Sequence, residues 1–406
     1  MLSSPSMTDR LYYHDSFLRS FDASVLSCEP QPDGRFRVTL DRSAFYPASG
    51  GQPHDLGTLG GVPVVEVADA SAPPDHFVHF VSAAVPAGPV HAEIDWPRRF
   101  DHMQQHTAQH LLSAVFIELF GFPTVSFHLG GEISTIDLQA PSVVSRHLAE
   151  AECRVNEIVF EDRVVSVRFG TAGDLAAAGA RKSVAREGTL RAIEIEGLDL
   201  QPCGGTHLSR TGQAGLLLLR RLERRRDSWR IEFVAGFRSL GVARADFSTL
   251  GRAAELFSCG PSEVPAIVEK IIDERRSLYS SEKRRLQRLA MFEARDLLAA
   301  HASAAQASPR VIAAVVEEDS FAYLNALAGR LLENSGIVAL LVTRATGLAL
   351  FAKSKELPAD MSGLFRETAN EIPAKGGGSS ATAQGTLSDP ARAADFLACA
   401  QSRLVS

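Results

Sequence analysis

Several familiar catalytic signatures are missing from this 406-residue chain, and each absence removes a class of function. There is no Gly-x-x-x-x-Gly-Lys-Ser/Thr loop to cradle a nucleotide phosphate. There is no Gly-x-Ser-x-Gly elbow to raise a serine nucleophile. The metalloprotease helix His-Glu-x-x-His is also absent: Thr107 follows His106 and offers no general base, so peptide hydrolysis by that route is not expected. Five scattered cysteines, an odd number, make no disulfide framework and fit a reducing compartment. The first ten residues lack the apolar core of a signal peptide, and the leucine run at 216–219 is far too short to cross a bilayer. A cytoplasmic protein without membrane association is the expectation. A net charge of −6 argues against a generally basic nucleic-acid binder, while a local basic groove stays open. No repeat of 20–50 residues is visible.

The length suffices for two or three domains, and 45% hydrophobic residues is an ordinary globular composition. The predicted fold class is multidomain α+β. Short β-branched runs at 36–40, 62–67 and 77–81, punctuated by glycine and proline, predict a small N-terminal β-barrel over residues 1–95. At Trp96-Pro97 the pattern turns helical, with Leu111, Leu112, Val115, Phe116 and Leu119 at three- and four-residue spacing until Gly121. Strands at 124–127, 132–138 and 164–169, a helix at 142–160 and a hairpin at 216–234 complete a central α+β domain, 96–258, with an antiparallel sheet. Residues 259–308 predict a helical spacer, a long helix or a helix pair. Residues 309–406 predict a small α/β domain that includes a Gly-rich loop at 375–380.

The residues that carry chemistry come from two distant segments. His106 and His110 are one helical turn apart and share a face. Cys203-Gly204-Gly205-Thr206-His207 presents a thiolate and a third imidazole across a flexible turn. A bulky residue at either glycine would prevent the sharp bend toward a shared point. Imidazole and thiolate together form a borderline-soft donor set that favours Zn²⁺. His102 lies one turn before His106, so spacing alone leaves open which two of the three helical histidines bind metal. Cys28, Cys153, Cys259 and Cys399 lack ligand-spaced neighbours and read as buried or inert.

The segment Arg98-Arg99-Phe100-Asp101-His102-Met103-Gln104-Gln105-His106-Thr107-Ala108-Gln109-His110 resembles the first signature of AlaX-type alanyl-tRNA editing proteins, shared with the editing domain of alanyl-tRNA synthetase. Asp199-Leu200-Gln201-Pro202-Cys203-Gly204-Gly205-Thr206-His207 resembles the second. The stretch 45–57 is similar to the glycine motif of the preceding barrel, and 375–385 to the Gly-rich stretch of the DHH-associated domain; together they match the long AlaX form. The resemblance implies that His106, His110, Cys203 and His207 form a zinc-dependent catalytic site, and leaves His102 to the helix surface or the substrate rim. It implies a substrate pocket shaped by Gly50, Gly51 and Gln52 and lined by the strand of Thr124 and Ser126. Ser126 stands near the discriminating polar position.

The implied activity is trans-editing: deacylation of tRNA(Ala) mischarged with serine or glycine. Only about forty residues precede the glycine motif, so charging of tRNA is not expected. The alternative is a non-catalytic tRNA-binding or regulatory relative with a structural zinc. Arg220, Arg221, Arg224, Arg225 and Arg226 form a basic run that suits tRNA phosphates or a solvated hairpin. By resemblance, Lys375 and its glycines serve tRNA contact or a homodimer through the C-terminal region.

Overall fold

The computed structural model describes residues 8–69, 77–181, 188–301 and 309–405. The chain divides into two compact units, Met1–Arg252 and Ala253–Ser406. Among the described residues no helix is long and apolar enough to cross a membrane.

In the first unit six strands close into a barrel. Around the wall they run Ser20–Pro30, Phe36–Leu40, Phe77–Val81, Val62–Asp69, Gly57–Leu59 and Gly88–Ile94, the last pairing again with the first. Every pair is antiparallel. Alternate residues point inward, so Phe21, Ala23 and Val25 join Val38, Leu40, Leu59, Val67, Phe77 and Val81 in one core. Closure leaves the barrel no edge strand to protect. The sequence predicts three of the six strands. Gly57–Leu59 is too short to show an alternation, and in Ser20–Pro30 and Gly88–Ile94 the alternation is present but weakened by alanine at the middle inward position, Ala23 and Ala92.

Helix α1 (Trp96–Phe120) follows directly. The Asp95 side chain caps it by accepting from the Arg98 amide at 3.2 Å, a proline opens it, and Gly121 ends it in the left-handed conformation. Its middle is buried on every side, from His102 through Phe116. A four-stranded antiparallel sheet shares its core, in the order Leu217–Arg224, Trp229–Ala235, Ser134–Leu138, Thr124–Leu129. Helix α2 (Ser145–Glu161) adds Ala151, Val155 and Ile158 to the same core. A second antiparallel sheet joins Val165–Gly170, Leu190–Ile195 and Asp199–Pro202, beside the short helix α3 (Ala172–Ala177). Helix α4 (Phe237–Phe257), which the sequence reading lacked, follows the hairpin.

The barrel and α1 are joined by an ion pair withdrawn from water. Arg99 and Asp55 are both fully buried. Arg99 Nε donates to the two Asp55 carboxylate oxygens at 3.0 and 2.9 Å, and its Nη atoms donate to the carbonyls of Ser16 (3.0 Å) and Ala44 (2.5 Å). Asp55 Oδ2 also accepts the Tyr46 amide at 2.6 Å. Between Tyr46 and Asp55 lies the tight turn Ser49-Gly50-Gly51-Gln52. Gly50 and Gly51 have φ of 54° and 85°, and Ser49 and Gln52 exchange backbone hydrogen bonds. Two consecutive left-handed residues favour glycine at both positions.

The second unit holds helix α5 (Val264–Ala300), a single 37-residue helix. Its Leu286, Ala290 and Ala294 pack with helix α6 (Phe321–Leu331) against one face of a five-stranded sheet. Helices α7 (Met361–Glu371) and α8 (Ala393–Val405) cover the other face. The strand order is Arg310–Val316, Ile337–Thr343, Leu348–Lys353, Thr382–Leu387, Ala374–Gly378, with only the first pair parallel. The expected Gly-rich loop is therefore largely the edge strand Ala374–Gly378. A Cβ on Gly376 would run into the Gln384 carbonyl oxygen of the paired strand and lie 2.5 Å from its Gly385 Cα and 2.9 Å from the Phe365 ring of α7, so this glycine serves close approach of strand and helix rather than a turn.

Replacing Arg99 with Met should destabilise the first unit by about 3–5 kcal/mol, because Asp55 would keep a buried charge with no partner. Urea denaturation measures this. The double variant R99M/D55N should lose less than the two single losses combined. A loss below about 1 kcal/mol for Arg99→Met would mean that this pair does not fasten the barrel to α1.

Candidate metal centre

His106, His110, Cys203 and His207 converge, with one ligand atom from each lying within 4.8 Å of the others. The two α1 histidines meet the Cys203–His207 loop across a gap of nearly a hundred residues. Cys203 Sγ stands 3.5 Å from His106 Nε2 and 3.3 Å from His207 Nε2. All three imidazoles are buried. His102, one turn earlier, takes no part. It is buried rather than on the helix surface, and burial presses its pKa down to about 4.

Each ligand imidazole turns its Nδ1 toward a polar group of the protein. His106 Nδ1 donates to Gln52 Oε1 at 2.8 Å. Gln52 is itself fixed, because its Oε1 accepts the Thr206 amide at 3.1 Å and its Nε2 donates to Thr206 Oγ1 at 2.8 Å. His207 Nδ1 lies 3.2 Å from Thr107 Oγ1. His110 Nδ1 is 3.4 Å from Asp199 Oδ2, an electrostatic contact longer than a good hydrogen bond. Asp199 is clamped by Arg181 through contacts of 2.8 and 3.1 Å. Such partners fix ring orientation and leave the Nε2 atoms to face a common centre. The loop is held as firmly, with Arg191 Nη1 donating to the carbonyls of Cys203 and Gly205, both at 2.8 Å. A Cβ at Gly205 would run into the His106 ring and lie 2.9 Å from Gln52 Oε1. Glycine stands there because an imidazole occupies the space a side chain would need.

The electrostatics favour the metal-binding form at Cys203 and His207, while His110 is held protonated, with its pKa raised to about 9, until a cation displaces the proton. Burial opposes a thiolate at Cys203, but the His106 and His207 rings beside it hold the thiol well below its usual pKa. Burial, then the neighbouring His106, pushes His207 far down, toward the neutral form that ligates. At His110 burial lowers the pKa, and Asp199 and Cys203 more than reverse this. Deprotonated sulfur and inward-facing imidazoles are the forms that bind a divalent cation. The donor set and its supporting shell fit such an ion.

A cavity of about 260 Å³ opens beside the cluster, the scale of a small-molecule site. One stripe of α1 lines it: His106, Gln109, His110 and Ser113, at helical spacing. Gly50, Thr124, Phe127, Arg181 and Gln201 form other parts of the wall. Gln109 Nε2 and Thr124 Oγ1 both donate to Ser113 Oγ at 2.8 Å.

The remaining sequence-predicted residues fall in different places. Gly50 lines the cavity, Gly51 backs onto Phe127, and Gln52 lies behind His106. Thr124 faces the cavity and Ser126 does not. Asp137 pairs with Ser126 and Leu138 with Thr124, so a register shift leaves Val125 unpaired and puts the two hydroxyls on opposite faces. Ser126 Oγ instead donates to Asp137 Oδ2 at 2.6 Å on the exposed side. The basic run sits on the exposed hairpin. There Arg220 pairs with Asp246, Arg225 with Glu223, and Arg224 stacks on Trp229. Among the described residues no carboxylate pairs with Arg221 or Arg226. Lys375 is exposed on the edge strand of the second unit. Cys153 is exposed and Cys28, Cys259 and Cys399 are half-buried, which corrects the burial part of the expectation that these four are buried or inert.

Sequence reasoning passed over Gln109, Ser113, Asp199, Arg181 and Gln201 as individuals. The α1 stripe was a usable signal for the first two, and the alternation Asp199, Gln201, Cys203 for two more.

Comparison with known proteins shows the family. Residues 190–232 match the threonyl and alanyl tRNA synthetase second additional domain. The alanyl-tRNA editing protein Aarsd1 of Mus musculus is 30% identical over 96% of this chain and 97% of its own length. The alanyl-tRNA editing protein AlaX-L of Pyrococcus horikoshii is 30% identical over 94% of this chain and 95% of its own. The chain belongs to the alanyl-tRNA editing protein family. Alanine–tRNA ligase of Thermococcus kodakarensis matches in part, 31% identical over 71% of this chain but only 33% of the ligase. Homology of the editing family with alanyl-tRNA synthetase is thus visible in this sequence.

Titration of the metal-free protein with Co²⁺, read by thiolate-to-metal absorption, should show a single tight site. Gln52→Leu should weaken it by about ten- to a hundredfold, because His106 loses the group that orients it. Wild-type affinity in Gln52→Leu would remove Gln52 from that role.

Proposed function

We propose that this chain hydrolyses the ester bond of tRNA(Ala) mischarged with serine or glycine, acting in trans, with zinc held by His106, His110, Cys203 and His207. The observation that carries this reading is the joining, in one cavity, of a three-imidazole, one-thiolate cluster with a hydroxyl-bearing wall. The names of the relatives support the tRNA(Ala) assignment. When bound, zinc supplies a Lewis-acidic centre that polarises or orients a group of the substrate.

The need for such a site is energetic. A pocket made for alanine cannot strongly reject a side chain that merely adds a hydroxyl. A second pocket inverts the logic by bonding to that hydroxyl. Here Thr124 Oγ1 gives its proton to Ser113 and keeps lone pairs to accept from the seryl side chain. The bond from Gln109 to Ser113 holds that pair in place. An alanyl ester lacks the hydroxyl and leaves Thr124 unused. Phe127 and the turn at Gly50 shape the walls around the aminoacyl group. Arg221 and Arg226, whose charges are free among the described residues, are the members of the hairpin best placed to meet phosphates. Lys375 and the C-terminal unit extend the same reading to tRNA contact and self-association.

Purified protein mixed with Ser-tRNA(Ala) should release serine, and a chelator should stop release. Binding without turnover would instead favour a tRNA-binding relative with a structural metal. Thr124→Val should lower the ratio of seryl to alanyl deacylation about tenfold, whereas Ser126→Val should leave it unchanged. Replacing Arg221 and Arg226 together by Ala should make tRNA binding less salt-dependent, by about two units of slope if both touch phosphate. An unchanged slope would take them out of the interface.

A further inference from the structure

Two carbonyl oxygens of the cavity residues are withdrawn from water and have no donor. Gln201 Oε1 and Gln109 Oε1 are both buried and lack a hydrogen-bond partner among the described residues. Gln109 spends its Nε2 on Ser113 and leaves its oxygen idle. Gln201 lies between Asp199 and Cys203. Strand alternation puts Asp199 and Gln201 on one face, Cys203 follows the strand directly and lines the same cavity as Gln201, and Asp199 and Cys203 already serve the cluster, through His110 and directly. An unmet buried acceptor is destabilising, because the group has given up water and gained no donor in exchange. Two of them in one ligand-sized cavity call for a ligand that brings donors.

We infer that Gln201, with Gln109, accepts hydrogen bonds from the α-ammonium group of the aminoacyl ester. This rests on the ester-hydrolysis reading above. An ammonium offers three N–H donors, whereas a side-chain or ribose hydroxyl offers one. The nearest carboxylate, Asp199, is already bound by Arg181 and does not line the cavity, so neutral carbonyls are the acceptors on offer. The ammonium is common to seryl, glycyl and alanyl esters. Gln201 therefore contributes binding without choosing among side chains. What it does choose is a free amino terminus: esters whose nitrogen is acylated, peptidyl-tRNA included, bring an amide in place of the ammonium and are refused.

The test compares Gln201→Leu and Gln201→Glu in the full-length zinc-loaded protein. Gln201→Leu should lower kcat/KM about tenfold on Ser-tRNA(Ala) and Gly-tRNA(Ala) alike. It should leave Co²⁺ affinity unchanged, and the unfolding temperature equal or higher, since an unmet buried acceptor has been removed. Gln201→Glu, still an acceptor, should stay within about threefold of wild type. N-acetyl-Ser-tRNA(Ala) should be a poor substrate for wild type, and Gln201→Leu should not discriminate against it further. A defect confined to the seryl ester would overturn the inference in favour of side-chain reading. An equal defect in Gln201→Glu would overturn it in favour of an amide donor, and a fall in Co²⁺ affinity in favour of a structural role. Activity of both variants equal to wild type would also overturn it, leaving ester hydrolysis standing. An inactive wild type would instead defeat the hydrolysis reading and this inference with it.

Discussion

The site depends on one buried ion pair. Arg99 opens α1 and Asp55 closes the barrel loop that carries the Ser49–Gln52 turn. With both charges inaccessible to solvent, their attraction is little screened and neither can be left alone cheaply. Fixing the loop against the helix puts Gln52 within 2.8 Å of His106 and in reach of Thr206. The barrel is thereby part of the centre's architecture although it supplies none of the four ligands. Its contribution is a single carboxamide delivered by a turn that two left-handed glycines make possible.

A second layer of order comes from economy of contact. Thr107, Gln52 and Asp199 each face the outward nitrogen of one ligand ring, and each comes from a different element: α1, the barrel loop, and a strand of the second sheet. Arg191 ties down the loop between Cys203 and Gly205. The geometry of the four-residue cluster is therefore set jointly by three pieces of the fold, with α1 carrying two of its imidazoles and Gln52 tying one of them to the Cys203–His207 loop. The buried protonation pattern follows from the same proximity, since two imidazoles beside one sulfur favour its anion.

Much of this was legible in the sequence where spacing alone encodes geometry. His106 and His110 share a helix face, and the Gly-Gly bend between Cys203 and His207 announces a loop that must approach something closely. What spacing left open, the choice among three helical histidines, needed family resemblance, and the structure then separates His102 by burying it outside the cluster. Asp199 and Gln201 carry a weaker signal, their alternation with Cys203, which shows which side of the chain they occupy but not which partner each one meets. In the barrel, Gly57–Leu59 is too short to show a period, and the inward-facing Ala23 and Ala92 dilute the alternation of Ser20–Pro30 and Gly88–Ile94. The Gly376 strand was mistaken for a loop because glycine marks close packing and turns with the same letter.

The unpaired Val125 has a consequence for how such pockets diversify. Were that strand regular, the valine would take the place beside Leu138 that the threonine now holds. A greasy isopropyl group would then replace an alcohol at the inner surface, with no change in composition anywhere. On the proposed reading of Thr124, amino-acid preference is written partly in how the ribbon is folded, and identical letters at this strand would not guarantee a shared taste.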